Sequence, residues 1–260
     1  MIRKNKLLFF LAIFSVAHLS LTGNYKVPGN IKTATGTLKI TFIHTVNHQP
    51  LALDSVTYTN PFAEQYTITK FRYYISNITL GLPGHSYAEK NSYHLVDVSK
   101  QGSLSFSFAA VAGTYTRLSF LLGVDSLKNV SGAQSGALDP VNDMFWTWMS
   151  GYVMAKMEGN SPVSNTVNNK IEYHIGGYKG ENKVIQKIIL PTTFQQPVLI
   201  QKGKTTELII ETNLDNWWQT PHDIKITETP VCTTPGVLAK KISENYRNMF
   251  SLKTINNPKP

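Results

Sequence analysis

Apolar residues recur at every second position in one segment after another of this chain. In Gly36–Val46, "GTLKITFIHTV", the residues Leu38, Ile40, Phe42, His44 and Val46 share one side and Lys39, Thr41 and Thr45 the other, with Ile43 the exception. A period of two is that of a strand with one buried face. Related stretches follow at Gln65–Leu82, Ser92–Ser99, Gly102–Phe108, Thr114–Asp125, Lys170–Tyr178 and Lys183–Pro191, then in "PVLIQKG" and "TELIIETNL". Gln65–Leu82 reads as one long strand or two with a break. Short strands separated by turn residues predict an all-β chain, an antiparallel β-sandwich. Near the end the period changes. In "TTPGVLAKKISENYRNMFSL" the residues Leu238, Ile242, Tyr246 and Met249 stand at helical spacing behind Thr-Thr-Pro. That predicts a short C-terminal α-helix, capped by Thr233 or Thr234 and docked on the sandwich. Neither a low-complexity linker nor an internal repeat divides the chain, so one domain is expected over 36–252.

The first residues read as an export signal over 1–22. "MIRKNK" is a basic start, "LLFFLAIFSVAHL" an apolar run too short to span a bilayer comfortably, and "SLTG" a small, polar end. The mature protein is expected to be periplasmic or secreted, without a membrane span. The formal charge of +9 becomes +6 once Arg3, Lys4 and Lys6 leave. The remaining cations are scattered, not gathered in a stripe, which argues against nucleic-acid binding. The single cysteine, Cys232, excludes an internal disulfide and a four-thiolate metal site. A blue-copper arrangement is also excluded, because no histidine follows Cys232.

The stretch "LDPVNDMFWTWMSGYVMAKMEG", Leu138 to Gly159, concentrates aromatic bulk. Read as one continuous strand, it puts Trp146, Trp148, Ser150 and Tyr152 on one face. Core filling accounts for one of the tryptophans but strains to account for both with Tyr152. His44 falls on an apolar face, where an imidazole needs a partner. His174, in "EYHIGG", shares the face of Glu172 and lies opposite Ile171, Tyr173 and Ile175. Two lone histidines without a fixed spacing do not by themselves define a metal site. Asp125, Asp139, Asn142 and Asp143 offer oxygens in one loop, a pattern that turn formation explains as well as calcium does. There is no Gly-x-Ser-x-Gly elbow, phosphate loop or paired-carboxylate motif, so no enzyme activity is expected. Trp217 and Trp218, in "LDNWWQTP", read either as packing at an edge or as a sugar platform. The platform reading would make the chain a metal-free extracellular scaffold module for a glycan or a protein.

The segments "FRYYISNI", "LSFLLGVDS", "SGALDPVNDMFWTWMSGYVMAKMEG" and "YHIGG" together resemble the MbnP-like domain family, over about Gly36 to Leu252. The resemblance implies a periplasmic copper-binding β-sandwich. It implies a tryptophan oxidised to kynurenine, here Trp146 or Trp148, by a di-haem partner enzyme related to cytochrome c peroxidases. It implies copper held by histidines beside that residue, here His44 and His174, with Glu172, Asp143 or Tyr152 as groups that orient an imidazole. Imidazole suits copper, and opening an indole adds an aromatic amine and a ketone as donors.

Overall fold

The structure is a computed structural model that describes residues 34–259 apart from Pro83, Ala133, Trp148 and 193–195. The expected export signal lies outside the described residues. In chain order the first strands are β1 (Thr35–Val46), β2 (Gln49–Pro50), β3 (Tyr58–Thr59), β4 (Gln65–Leu82), β5 (His85–Ala88) and β6 (Tyr93–Asp97). Then come β7 (Ser105–Val111), β8 (Gly113–Tyr115), β9 (Arg117–Leu122), a short helix α1 (Ser126–Asn129), β10 (Phe145–Thr147), β11 (Gly151–Asn160) and β12 (Lys170–Gly176). The last elements are β13 (Gln186–Pro191), β14 (Val198–Ile200), β15 (Thr205–Asn213), β16 (Val231–Cys232), α2 (Val237–Tyr246) and β17 (Phe250–Asn256).

Two sheets dominate. The smaller runs β17-β15-β1-β2, with β7 also paired to β1. The larger runs β13-β9-β4-β11-β12-β16, and β3, β5, β6 and β10 attach to it. The alternation of β1 is realised: Leu38, Ile40, Phe42 and Val46 are buried. Phe42 meets Tyr73, Phe120 and Phe250 edge-on at 5.9, 6.4 and 6.3 Å. Removing such a ring from water is worth about 1.5–3 kcal/mol, and edge-to-face pairs add roughly 0.5–1.5 kcal/mol. This aromatic layer between the sheets is the principal core.

Gln65–Leu82 forms a single strand. Asn77, with φ at 53°, takes a bulge within it. Before the bulge Phe71, Tyr73 and Ile75 are buried; after it Ile78 and Leu80 are. The extra residue shifts the two-residue count by one, which is how one strand stays in register with the core along its length.

Most pairings are antiparallel, but β1 with β15 and β12 with β16 are parallel. The helix forms over Val237–Tyr246, with Gly236 at its N-cap and no side-chain cap, so neither Thr233 nor Thr234 serves. Its Tyr246 packs on Trp217 at 5.3 Å. Met249 lies beyond the helix, and the residues after it form β17 against β15, a strand the helical periodicity concealed. The tryptophan-rich stretch is not one strand. It is a hairpin, β10 turning into β11, with Phe145 opposite Tyr152. Gly151 makes the turn at φ 75°, and Asn129 Oδ1 accepts the Tyr152 N–H at 2.9 Å. Counting faces from Trp146 through to Tyr152 therefore fails.

Trp217 and Trp218 are 0% and 1% exposed. Trp218 donates its indole N–H to Tyr66 Oη at 3.0 Å. They are core residues, and the sugar-platform reading of this pair is overturned. None of the helices among the described residues is long and apolar enough to cross a membrane.

Candidate metal site

His44 points into the core. It is 7% exposed, and its Nε2 lies 3.0 Å from Tyr73 Oη, which lies 3.2 Å from Thr212 Oγ1. Its ring stands edge-on to Phe71 at 5.9 Å. Burial pushes its pKa down to about 4, so the imidazole is neutral. A cleft of about 570 Å³, lined in part by His44, Pro50, Leu51 and Leu104, opens beside it.

His174 points the other way. Strand register places Tyr73, Ala155 and Ile175 in one row and Arg72, Lys156 and His174 in the next. Adjacent rows face opposite sides of a sheet. His44 bonds to Tyr73 on the inner side, so the two imidazoles are divided by the sheet. The structure does not bring His44 and His174 together, and one metal ion cannot reach both. Period-two counting placed each histidine on its own face correctly; it had no means of deciding which faces of different strands meet.

On the outer side, His174 belongs to a charged network. Its Nε2 lies 2.8 Å from Glu158 Oε1. Glu158 also pairs with Lys70 at 2.9 Å. The hydrogen bond from His174, and then Lys70, hold the Glu158 carboxyl down at about 2. Lys156, 3% exposed, donates to Asp143 Oδ2 at 2.9 Å and to the Asp143 backbone oxygen at 2.6 Å. Burial raises the Asp143 carboxyl, but Lys156, Lys70 and Arg72 outweigh it and leave its pKa lowered. Arg72 pairs with the buried Asp97 at 3.0 Å. Lys70, Arg72 and Lys156 thus each face a carboxylate of this network. Glu158, which sequence reasoning missed as the partner of His174, sits diagonally across the β11–β12 ladder. Among the groups expected to orient an imidazole, Asp143 pairs with Lys156, and Tyr152 donates to the Leu138 carbonyl at 2.7 Å.

Trp146 reaches the same outer face. A Cβ added at Gly176 would run into its six-membered ring. Gly176 is two residues beyond His174, about 7 Å along β12 and on the same side. The half-buried indole therefore lies over a glycine two residues from the histidine. Trp148 lies outside the described residues.

The remaining candidates are occupied otherwise. Asp125 caps α1 and accepts from Tyr93, and Asp139 caps the turn at Pro140–Asn142. Asn142 donates to the carbonyls of Gly136 and Ala137. These oxygens hold turns together instead of converging. Burial pushes the Cys232 thiol up to about 11, which leaves it an inert core group. His94 pairs with Glu89 and stacks on Phe106 at 3.5 Å. Among the described residues, no group of three or more His, Cys, Asp and Glu side chains is placed to hold a metal. With the indole intact, the direct contact at the outer site is between one imidazole and one carboxylate, His174 and Glu158.

A search of curated proteins returned no match. Among solved structures, MbnP from Methylosinus trichosporium matches with a TM-score of 0.51 at 14% identity, covering 79% of this chain and 87% of that one. At that identity the likeness speaks for the fold. The MbnP family model matches residues 35–234, a span that includes β1 with His44, the Trp146 hairpin and β12 with His174, and on that match the chain belongs to the MbnP family.

Proposed function

We propose that this protein is an exported copper-binding member of its family, not a catalyst, with its site on the outer face of β11 and β12. The observation that carries the reading is the Trp146 indole seated over Gly176, two residues along β12 from an imidazole already held by Glu158. Copper favours imidazole nitrogen, and a hydrogen-bonded carboxylate fixes the ring. His174 and Glu158 supply two donors. Oxidation of Trp146 to kynurenine by a di-haem peroxidase-like partner would add an aromatic amine and a ketone next to them. In this reading modification completes the donor set, so binding follows oxidation. His44 takes no part: it stands on the other face, neutral and bonded to Tyr73.

The test is copper titration of protein made with and without a co-expressed di-haem partner, alongside intact mass. Kynurenine formation exchanges a ring carbon for an oxygen, and peptide mass spectra of Trp146→Phe and Trp148→Phe locate the change. The reading expects modified protein to bind copper at least about tenfold more tightly than unmodified protein, and His174→Ala to abolish the gain. It also expects His44→Gln to leave binding intact. Binding that depends on His44 and ignores His174 would overturn it.

A further inference from the structure

A second polar cluster lies at the far half of the large sheet, away from the tryptophan hairpin. There β5, β4, β9 and β13 run side by side. Their register sets Ser86, Gly81 and Arg117 in one row and Thr79, Ser119 and Ile189 in the next. These rows face outward, because Leu80, Leu118, Phe120 and Leu190 between them are buried. Asn77, Thr79, Ser86, Arg117, Ser119 and Lys187 are the polar lining of a cleft of about 410 Å³. The apolar side chains facing it are Leu121 and Ile189, and no carboxylate lines it.

Arg117 lies against Gly81. A Cβ placed on Gly81 would come within 2.9 Å of both Nε and Nη2 of Arg117. The guanidinium therefore passes close over the bare backbone at 81, where an added side chain would make it shift. Among the described residues, neither the Arg117 side chain nor the Lys187 side chain has an acidic or hydrogen-bonding partner. On the other half of this sheet Lys70, Arg72 and Lys156 each have a carboxylate, whereas Lys170 at the start of β12 has none among the described residues. Two exposed cations without a carboxylate thus share a cleft with three hydroxyls and an amide. A planar guanidinium presents paired N–H donors that suit two oxygens of one anion.

We propose that this cleft binds the oxyanion group of a small organic ligand, with Arg117 and Lys187 pairing its charge. Thr79, Ser86 and Ser119 would donate hydrogen bonds to its oxygens, and Leu121 and Ile189 would carry its apolar part. The site stands apart from the copper reading and does not depend on it.

Two-dimensional NMR or calorimetric titration of the full mature chain with inorganic phosphate, phenyl phosphate and benzoate tests this. Phenyl phosphate should bind more tightly than inorganic phosphate, because only it uses the apolar wall; benzoate binding as well as phenyl phosphate would assign a carboxylate ligand instead of a phosphate ester. Arg117→Gln and Lys187→Gln should each weaken binding by about tenfold while thermal melts stay near wild type, and rising salt should weaken it further. Gly81→Ser, which crowds the guanidinium, should weaken it too. Lys202→Gln, in the turn before β15, should change nothing. Absence of binding by all three probes at millimolar concentration, or binding that Arg117→Gln leaves untouched, would overturn the proposal.

Discussion

Glu158 Oε1 and His174 Nε2 lie 2.8 Å apart on neighbouring strands, and Lys70 closes on the same carboxylate at 2.9 Å. Glu158 therefore titrates at about 2 in the folded chain, against an ordinary 4.5. Its folded pKa is depressed, so its contribution to stability is complete above pH 4.5 and is lost as the pH falls toward 2. Glu158→Gln should cost about 1–2 kcal/mol at neutral pH, since the site is partly solvated. Urea melts at a series of pH values should show that cost shrinking below pH 4.5. A constant difference down to pH 2 would mean that the pair contributes nothing through charge.

A second pH effect comes from the other face. His44 titrates at about 4 when folded and near 6.5 when unfolded. Between those values the unfolded chain takes up a proton that the folded chain refuses, so stability falls as the pH is lowered through that window. His44→Gln keeps a hydrogen-bonding group beside Tyr73 but cannot charge. Relative to this variant, wild type should lose up to about 3 kcal/mol from pH 7 to pH 4. Denaturant midpoints of the pair across that range check it, and parallel curves would refute it.

Gly176 is the seat of the Trp146 ring. Gly176→Ala should displace the indole and cost about 1–3 kcal/mol through overpacking. The expected sign is a shift in tryptophan fluorescence and near-ultraviolet dichroism, with far-ultraviolet dichroism unchanged. An unaltered emission spectrum would place the ring elsewhere.

The two core tryptophans should respond differently to loss of their N–H. Trp218 donates to Tyr66, whereas the Trp217 indole nitrogen is buried with no partner among the described residues. Trp218→Phe leaves a buried hydroxyl short of a donor; Trp217→Phe removes an orphaned one. Thermal melts should therefore rank Trp218→Phe as the more damaging by about 1 kcal/mol. Substitution of either by Ala should cost roughly 3–5 kcal/mol.

The strands were legible where one face is buried and the other wet, as in β1 and β12. Alternation is a local property, and Leu38, Ile40 and Phe42 display it without reference to any neighbour. What failed was non-local. β17 was hidden because Met249 continues the helical spacing of Tyr246, while the pairing of Ile210 with Leu252 that makes the strand is invisible along the chain. The hairpin at Trp146 was read as one strand because apolar residues continue on both sides of Gly151. The site divided in the same manner. His174 was correctly placed on an outward face and His44 on an inward one, but the partnership of His174 with Glu158 depends on the register of β11 against β12. The neighbourhood of Arg117 gave no signal at all, since a lone arginine in an alternating strand reads as ordinary surface.

The side-by-side placement of β1 and β15 bears on how the molecule is made. The Thr41 hydroxyl donates to Glu207, a partner 166 residues further on, and β17 closes the far edge of β15 later still. One edge of the earliest strand pairs early with β2 and β7, but its other edge waits for almost the last strand. Synthesis from the N-terminus therefore leaves the smaller sheet half built, with one edge of β1 unpaired until β15 emerges, a slow, high-contact-order completion that leaves time for a chaperone to engage the open edge.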